Sequence, residues 1–577
     1  MSEAFRRRLV WPGLLLLAVL PYLTAARHPF VYDDYAQVVR NDLVRSLDPR
    51  PVLAVGSVTH GRVEWYRPLA VYSLALNYAA SGLDPWSYRL VNVALHAANT
   101  ALVFTIAGRI GRSSVVASAA AALFAVHAVH SEAVVPAFGR ADLLAAFFAL
   151  LAWRLSLSSR SGRCAVAATA AAVLAALLSK ENAVALIPVI VATDLAVRNR
   201  GAGTLAARLS HLACARWRLY AALAIVLLVY AGLRFWATGA LLAADGVRYI
   251  ENPLVQAGPV TRAATALWVV IRYVGLFLVP FPLTVDYSYN QIPVVARWTD
   301  PRLLGLALLV PAAITLPRFW RACPRAALAL LFFVLLLAPV SNLILPIGTI
   351  MAERLLYLPS VGLCLLAGHG LAAVYGQITG RAGRAVLAGF AILIAAHAAV
   401  TLTRNRDWAS ERKLFAAAAA ASPHSAKAHF NHASALVDAG KINQAEEALR
   451  RTLAIASAYP EAHNLLGTLR LARGEVAEAG RAFEAALRDA PDYPPALGNL
   501  GIVRRREGRM QDAQRLLERA VRLDPSMAIA YVNLGLIAEI QGDLRQAVAH
   551  YRRAYALDPT LEVARSRAED LGLDWRK

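Results

Sequence analysis

Cysteine is scarce in this chain: four residues in 577, with none beyond Cys364. Cys164, Cys214, Cys323 and Cys364 lie in or beside apolar segments, and no Cys-x-x-Cys or Cys/His ligand spacing occurs. Neither a disulfide framework nor a structural zinc site is supported. Charge is thin as well, at 17% of residues beside 58% hydrophobic, where soluble domains carry about 25%. Acids are the scarcer sign, 38 against 60 Lys and Arg, for a formal charge of +22. That excess would suit nucleic acid if the basic residues formed one face. Instead they sit in short loops between apolar stretches: Arg6-Arg7-Arg8, Arg109 with Arg112, Arg160 with Arg163, and Arg198 through Arg218. Arg318, Arg321 and Arg325, and Arg381 with Arg384, continue the series. This is the positive-inside pattern of a membrane protein. No nucleic-acid partner is expected.

Long apolar runs are missing from only one part, residues 404–577. A helix needs about 20 apolar residues to cross a bilayer, with roughly 17–25 as the range. Candidate spans upstream are 9–26, 91–108, 114–130, 141–157, 164–179, 183–197, 219–238, 302–317, 326–345, 355–375 and 385–402. The first follows a basic start but no small-x-small cleavage site, so it reads as an uncleaved helix. Residues 68–81 are apolar but short, and read as an interfacial helix. Residues 264–283 hold Arg272 and end at Pro280 and Pro282, and they read as a re-entrant or in-plane element. The expectation is an all-α chain with about 11 spans, a cytoplasmic N-terminus and an extracytoplasmic C-terminus. Residues 1–403 then form a multi-spanning domain, with outer loops at 27–90 and 239–301.

A linker at 404–424 leads to a repeat array. Gly440, Gly474, Gly508 and Gly542 recur every 34 residues, as do Ala445, Ala479, Ala513 and Ala547. Gly467, Gly501 and Gly535 keep the same register, and Pro491, Pro525 and Pro559 punctuate it. This period, with small residues at helix crossings, is the tetratricopeptide signature. Four repeats are expected at 425–562, stacked so that each helix pair covers its neighbour, with a tail at 563–577.

Polar islands interrupt the apolar part, and on this topology all lie on one outer side. Asp33-Asp34 opens the first outer loop, where paired carboxylates beside a bilayer need water, a partner or a substrate; a plain turn is the alternative. Glu132 leads into Gly139-Arg140-Ala141-Asp142. An N-cap with a surface pair and a bidentate phosphate site both suit that motif. Ser179-Lys180-Glu181-Asn182 fits a hairpin turn, or a cation near a phosphate. Glu353-Arg354 at a span mouth fits a helix-end salt bridge, and Asp286-Tyr287-Ser288 a turn. Jointly they give acids and bases on one membrane face, the arrangement expected where a lipid-linked donor meets a polar acceptor.

Together these stretches resemble the transmembrane-and-TPR-repeat-containing protein O-mannosyltransferases, members of the membrane-embedded class-C (GT-C) glycosyltransferases. The matching stretches are Phe30-Val31-Tyr32-Asp33-Asp34 with Asn41, Tyr66-Arg67-Pro68-Leu69, and Tyr88-Arg89-Leu90-Val91-Asn92 with His96. Next come His130-Ser131-Glu132-Ala133-Val134 through Gly139-Arg140-Ala141-Asp142-Leu143-Leu144, Ser179-Lys180-Glu181, Asp286-Tyr287-Ser288 and Ser341-Asn342-Leu343. The last runs from Gly348 through Glu353-Arg354-Leu355-Leu356-Tyr357-Leu358-Pro359-Ser360. The resemblance implies transfer of a sugar, mannose in relatives, from a polyprenyl phosphate to a Ser or Thr hydroxyl of an extracytoplasmic protein. It implies Asp33 as base with Asp34 orienting it or stabilising charge, and Arg140, Lys180 and Arg354 on the donor phosphate. Glu132, Asp142, Glu181, Glu353 and Asp286 support the site. The repeat groove would bind acceptor or partner protein, and the membrane lipid would surround the spans. Carboxylate oxygens suit magnesium or manganese, yet proton acceptance alone accounts for the pair, so no obligatory metal is expected. The Ala- and Arg-rich composition suggests a bacterial inner membrane with the repeats in the periplasm. Alternatives are an O-antigen ligase or polymerase-like enzyme, disfavoured by the early acidic loop, and a non-catalytic membrane-anchored scaffold, for which one helix would suffice.

Overall fold

The computed structural model describes residues 3–55, 57–59, 62–158, 162–198, 204–241, 247–297, 299–307, 309–378 and 380–571. Arg160 of the expected basic loops, part of the 239–301 loop and the end of the C-terminal tail fall outside them. The chain divides into two compact units, Met1–Ser422 and Pro423–Lys577.

In the first unit, every expected apolar stretch coincides with helix. Their lengths differ. Pro85–Gly111, Trp217–Thr238, Pro259–Leu278, Arg302–Ala322 and Gly380–Asp407 are long and apolar enough to cross a membrane among the described residues. The bent pair Ser114–Val126 and Ala128–Val134, angled by 52°, makes up to six. Others stop short, such as Arg163–Ser179 and Leu186–Val197. At 1.5 Å per residue, 12 residues reach only part-way across the roughly 30 Å hydrocarbon layer. Local caps set these ends. Ser113 Oγ accepts from the Val116 amide, and Arg112 closes the preceding helix in a left-handed conformation.

Residues 264–283, read as a re-entrant or in-plane element, hold one unbroken helix, Pro259–Leu278, which is long and apolar enough to cross a membrane. Its prolines lie beyond its end, so they terminate it rather than bend it. The Tyr289 amide nevertheless donates to Ile250 O at 3.1 Å, joining the segments before and after this helix. The difference from an all-α chain is a two-stranded antiparallel ribbon, Ser57–Thr59 with Arg62–Trp65, within the first outer loop. Residues 68–81 form the short helix expected there, Pro68–Ser81.

The second unit consists of helix pairs in strict register: Ala426–Asp438 with Ile442–Ile455, Pro460–Ala472 with Val476–Asp489, Pro494–Arg506 with Met510–Leu523, and Ala528–Ile540 with Leu544–Leu557. The glycine inside each turn has φ of +69° to +82°, a conformation costly for any residue with a Cβ. Gly467, Gly501 and Gly535 lie where the paired helix presses closest. A Cβ there would come within 2.7 Å of Phe483, Leu517 and Tyr551. Ala445, Ala479, Ala513 and Ala547 are fully buried at the crossings.

Candidate active site

The acidic pair divides its labour by burial. Asp34 is fully buried. One oxygen accepts from the Phe138 amide at 3.0 Å and the other from the Val31 amide at 3.4 Å. Arg89 stands 3.9 Å away and clamps the same loop by donating to His28 O and Pro29 O at 2.6 and 2.7 Å. Burial pushes the Asp34 carboxyl up to about 6, against the pull of Arg89 and the two amides. Asp33, next in the chain, is only half-buried.

Three cations gather on that side. Arg354 pairs with the fully buried Glu132, which also accepts the Arg354 backbone amide at 3.0 Å. Its guanidinium lies 5.4 Å from the centre of the Phe138 ring. Burial works against the Arg354 charge, but Glu132, Asp33, Tyr32 and Asp142 outweigh it and hold the group firmly protonated. Lys180 Nζ donates to Asp142 Oδ1 at 2.6 Å. Burial lowers the Lys180 pKa, Asp142 opposes that, and the nearby charges of Arg67 and Arg354 add to it. Arg67 makes a two-bond fork with Glu181 at 3.0 and 2.7 Å. Arg67, Lys180 and Arg354 thus feel one another's charge and that of Asp142, and Arg354 also feels Asp33, so the neighbourhood draws on five separate stretches of chain.

Arg140 is the residue whose surroundings differ most from the expectation of a phosphate ligand. It is 1% exposed, and its guanidinium donates to Asn92 Oδ1 at 2.6 Å, Tyr88 O at 2.9 Å and Ser73 Oγ at 3.3 Å. Asn92 in turn donates to Pro136 O at 2.7 Å. A guanidinium spent on such partners ties helices together. Gly139, just before it, allows this: a Cβ there would sit 2.0 Å from Ala133 O.

Glu353 and Asp286 form a second group behind the first. Glu353 is fully buried and accepts from the Thr284 amide and from the Tyr287 hydroxyl at 3.1 Å, with Arg404 at 3.7 Å. Burial, with the Glu132 charge, pushes its carboxyl above the usual range against the pull of Arg404. Asp286 accepts from its neighbour Ser288. Among the described residues, no three His, Cys, Asp or Glu side chains gather to hold a metal ion. Arg67 belongs to the Tyr66-Arg67-Pro68-Leu69 stretch, and its signal in the sequence is a lone arginine at the mouth of an apolar helix.

Two family models match parts of the chain. Residues 247–314 match the family model described as protein O-mannosyl-transferase TMTC, DUF1736, and residues 430–494 and 499–562 match the tetratricopeptide repeat model. The chain is 30% identical over 545 residues to protein O-mannosyl-transferase Tmtc1 of Drosophila melanogaster, covering 78% of this chain and 62% of that protein. It is 28% identical over 506 residues to human TMTC1, covering 78% and 55%. Against human TMTC2 it is 27% identical over 521 residues, covering 76% and 61%. The chain therefore spans between 55% and 62% of the length of these curated relatives. With its candidate crossing helices, it is a multi-pass membrane protein bearing tetratricopeptide repeats.

Proposed function

We infer that this chain, carrying the TMTC domain of the protein O-mannosyl-transferases beside an array of tetratricopeptide repeats, transfers mannose from a polyprenyl phosphate to a protein Ser or Thr hydroxyl. The observation that carries the reading is the gathering of Arg67, Lys180 and Arg354 around Asp142, with Arg354 also under the charge of the half-buried Asp33. In the proposed step the acceptor oxygen bonds to the anomeric carbon while the bond from that carbon to the phosphate oxygen breaks. The electron pair of the broken bond leaves on the polyprenyl phosphate, and the hydroxyl proton passes to the Asp33 carboxylate. A positioned base contributes typically 10²–10⁴-fold. The departing phosphate gathers charge, and cations fixed in place before the reaction stabilise it without reorganising. Lys180 and Arg354 serve that role, with Arg67 added. Asp34 and Arg140 hold the loops that present them. Glu132, Asp142 and Glu181 keep the cations in place, and Glu353 and Asp286 brace the loop behind.

The site faces the extracytoplasmic side, the periplasm if the membrane is a bacterial inner one, and the repeats bind the acceptor or a partner protein. The test uses the purified full chain in lipid, with radiolabelled polyprenyl-phosphate mannose and an extract of extracytoplasmic proteins, comparing wild type with Asp33→Asn. Transfer by wild type and a fall of about 10²–10⁴-fold in the variant, at unchanged melting temperature, is expected. Equal transfer by both would remove Asp33 from the role of base. No transfer from this donor, with transfer from another lipid-linked sugar, would overturn mannose.

A further inference from the structure

The stretch between the last apolar helix and the repeats, expected as a linker at 404–424, is bonded into the first unit at several points. Arg404 lies 3.7 Å from Glu353. Asn405 Nδ2 donates to Pro21 O at 2.8 Å. Trp408 is fully buried, its ring 6.3 Å from Phe138. Ser410 caps the following helix, Glu411–Ala421, by accepting from the Lys413 amide. Ser422 Oγ, past the helix end, donates to Asp286 O at 2.7 Å.

The middle of this strap meets the acidic loop. Glu411 Oε1 accepts from the backbone amide of Tyr32 at 3.0 Å, and the buried Phe415 ring meets the Tyr32 ring edge-on at 5.7 Å. Tyr32 has φ of +58°, a left-handed conformation that an ordinary side chain adopts only when its surroundings impose it. It also directly precedes Asp33. From the opposite side, Asp34 is pinned by Phe138, Val31 and Arg89. The Asp33 backbone therefore lies between one anchor from the membrane domain and one from the strap.

We propose that the helix Glu411–Ala421 is a clamp on the acidic loop, and that Glu411 is a positioning residue that fixes Tyr32 and so aims the Asp33 carboxylate. The role rests on the reading of Asp33 as proton acceptor. It makes the segment that leads into the repeats part of the site's support. Glu411 acts as a hydrogen-bond acceptor, so a glutamine keeps the essential oxygen and an alanine does not. A displacement of about 1 Å can cost about 10²-fold in rate, and it acts on kcat rather than on KM.

The test combines activity with hydrogen exchange measured by mass spectrometry on the full chain in lipid. Glu411→Ala is expected to speed amide exchange in peptides covering residues 30–40 and to lower kcat by about 10- to 100-fold, with KM for the lipid-linked donor little changed. Glu411→Gln regains slow exchange and most of the rate. Phe415→Leu, which keeps the apolar burial, raises exchange in the same peptides to a lesser degree. Unchanged exchange in Glu411→Ala would overturn the clamp, and so would a glutamine variant as impaired as the alanine one. Faster exchange at an unaltered rate would overturn its role in aiming Asp33. If wild type itself transfers no sugar, the exchange comparison still decides the clamp, and the failure belongs to the assigned reaction.

Discussion

Replacing Asp34 by asparagine separates burial from pairing at the centre of the acidic loop. In wild type the carboxyl titrates at about 6 rather than its ordinary 3.8, burial being the largest cause. At 1.36 kcal/mol per pH unit, ionised Asp34 costs the fold about 3 kcal/mol relative to the protonated acid. The sign follows from linkage: between pH 3.8 and 6 the native state binds the extra proton, so this contribution to stability falls as pH rises through that window. Asparagine removes the ionisation and keeps one oxygen for the Phe138 amide. It turns its NH2 toward the Val31 amide, which loses an acceptor at a cost of about 1–3 kcal/mol. At pH 7.5 the two effects partly offset each other, leaving the variant between equal to wild type and about 2 kcal/mol more stable. At pH 5 the native carboxyl is mostly protonated but the unfolded one is not, so the cost to wild type is still about 2 kcal/mol and the variant's relative stability falls by about 1 kcal/mol. Tryptophan-fluorescence melting of the lipid-reconstituted chain at both pH values reads this shift. A variant clearly less stable than wild type at pH 7.5 would refute the reasoning, because it would mean that Arg89 and the amides outweigh burial.

Two further outcomes test the buried network. Lys180→Met leaves Asp142 without its 2.6 Å partner and is expected to lower stability by about 3–5 kcal/mol. Adding Asp142→Asn restores most of the melting temperature but not sugar transfer, which separates the stabilising role of the pair from the role of the cation. Gly139→Ala puts a methyl group 2.0 Å from Ala133 O, a backbone atom with no freedom to withdraw. Overpacking costs typically 1–3 kcal/mol and occasionally more, and here yield and melting temperature are expected to fall by more than for Gly275→Ala, where a Cβ meets nothing within 4 Å.

The repeats were fully legible in the sequence because their constraints are local and periodic. A turn with positive φ asks for glycine, and a crossing under Phe483 or Tyr551 asks for a missing Cβ, every 34 residues. The polar islands were legible as chemistry but not as pairs. Lys180 meets Asp142, Arg354 meets Glu132 and Arg67 meets Glu181 across separations of 38, 222 and 114 residues, and no local pattern encodes a partner so distant. Arg140 shows the same gap: a guanidinium waiting for phosphate and one spent on Asn92 and Tyr88 have identical sequence contexts. Span lengths were blurred where apolar composition runs on past a helix end, as at Val126, beyond which the chain bends by 52°.

The three cations of the site each already hold a carboxylate: Glu181 on Arg67, Asp142 on Lys180, Glu132 on Arg354. A membrane surface offers phosphate groups in great excess on its ordinary lipids, and an open trio of positive charges would bind them without discrimination. With counter-anions built in, a phosphate enters only by exchange, and what counts is the difference between two affinities. In the proposed reaction the resident acids would act as competitors within the chain. They would set a threshold that a headgroup making charge contact alone does not cross, and that a donor adding sugar contacts to the same phosphate does.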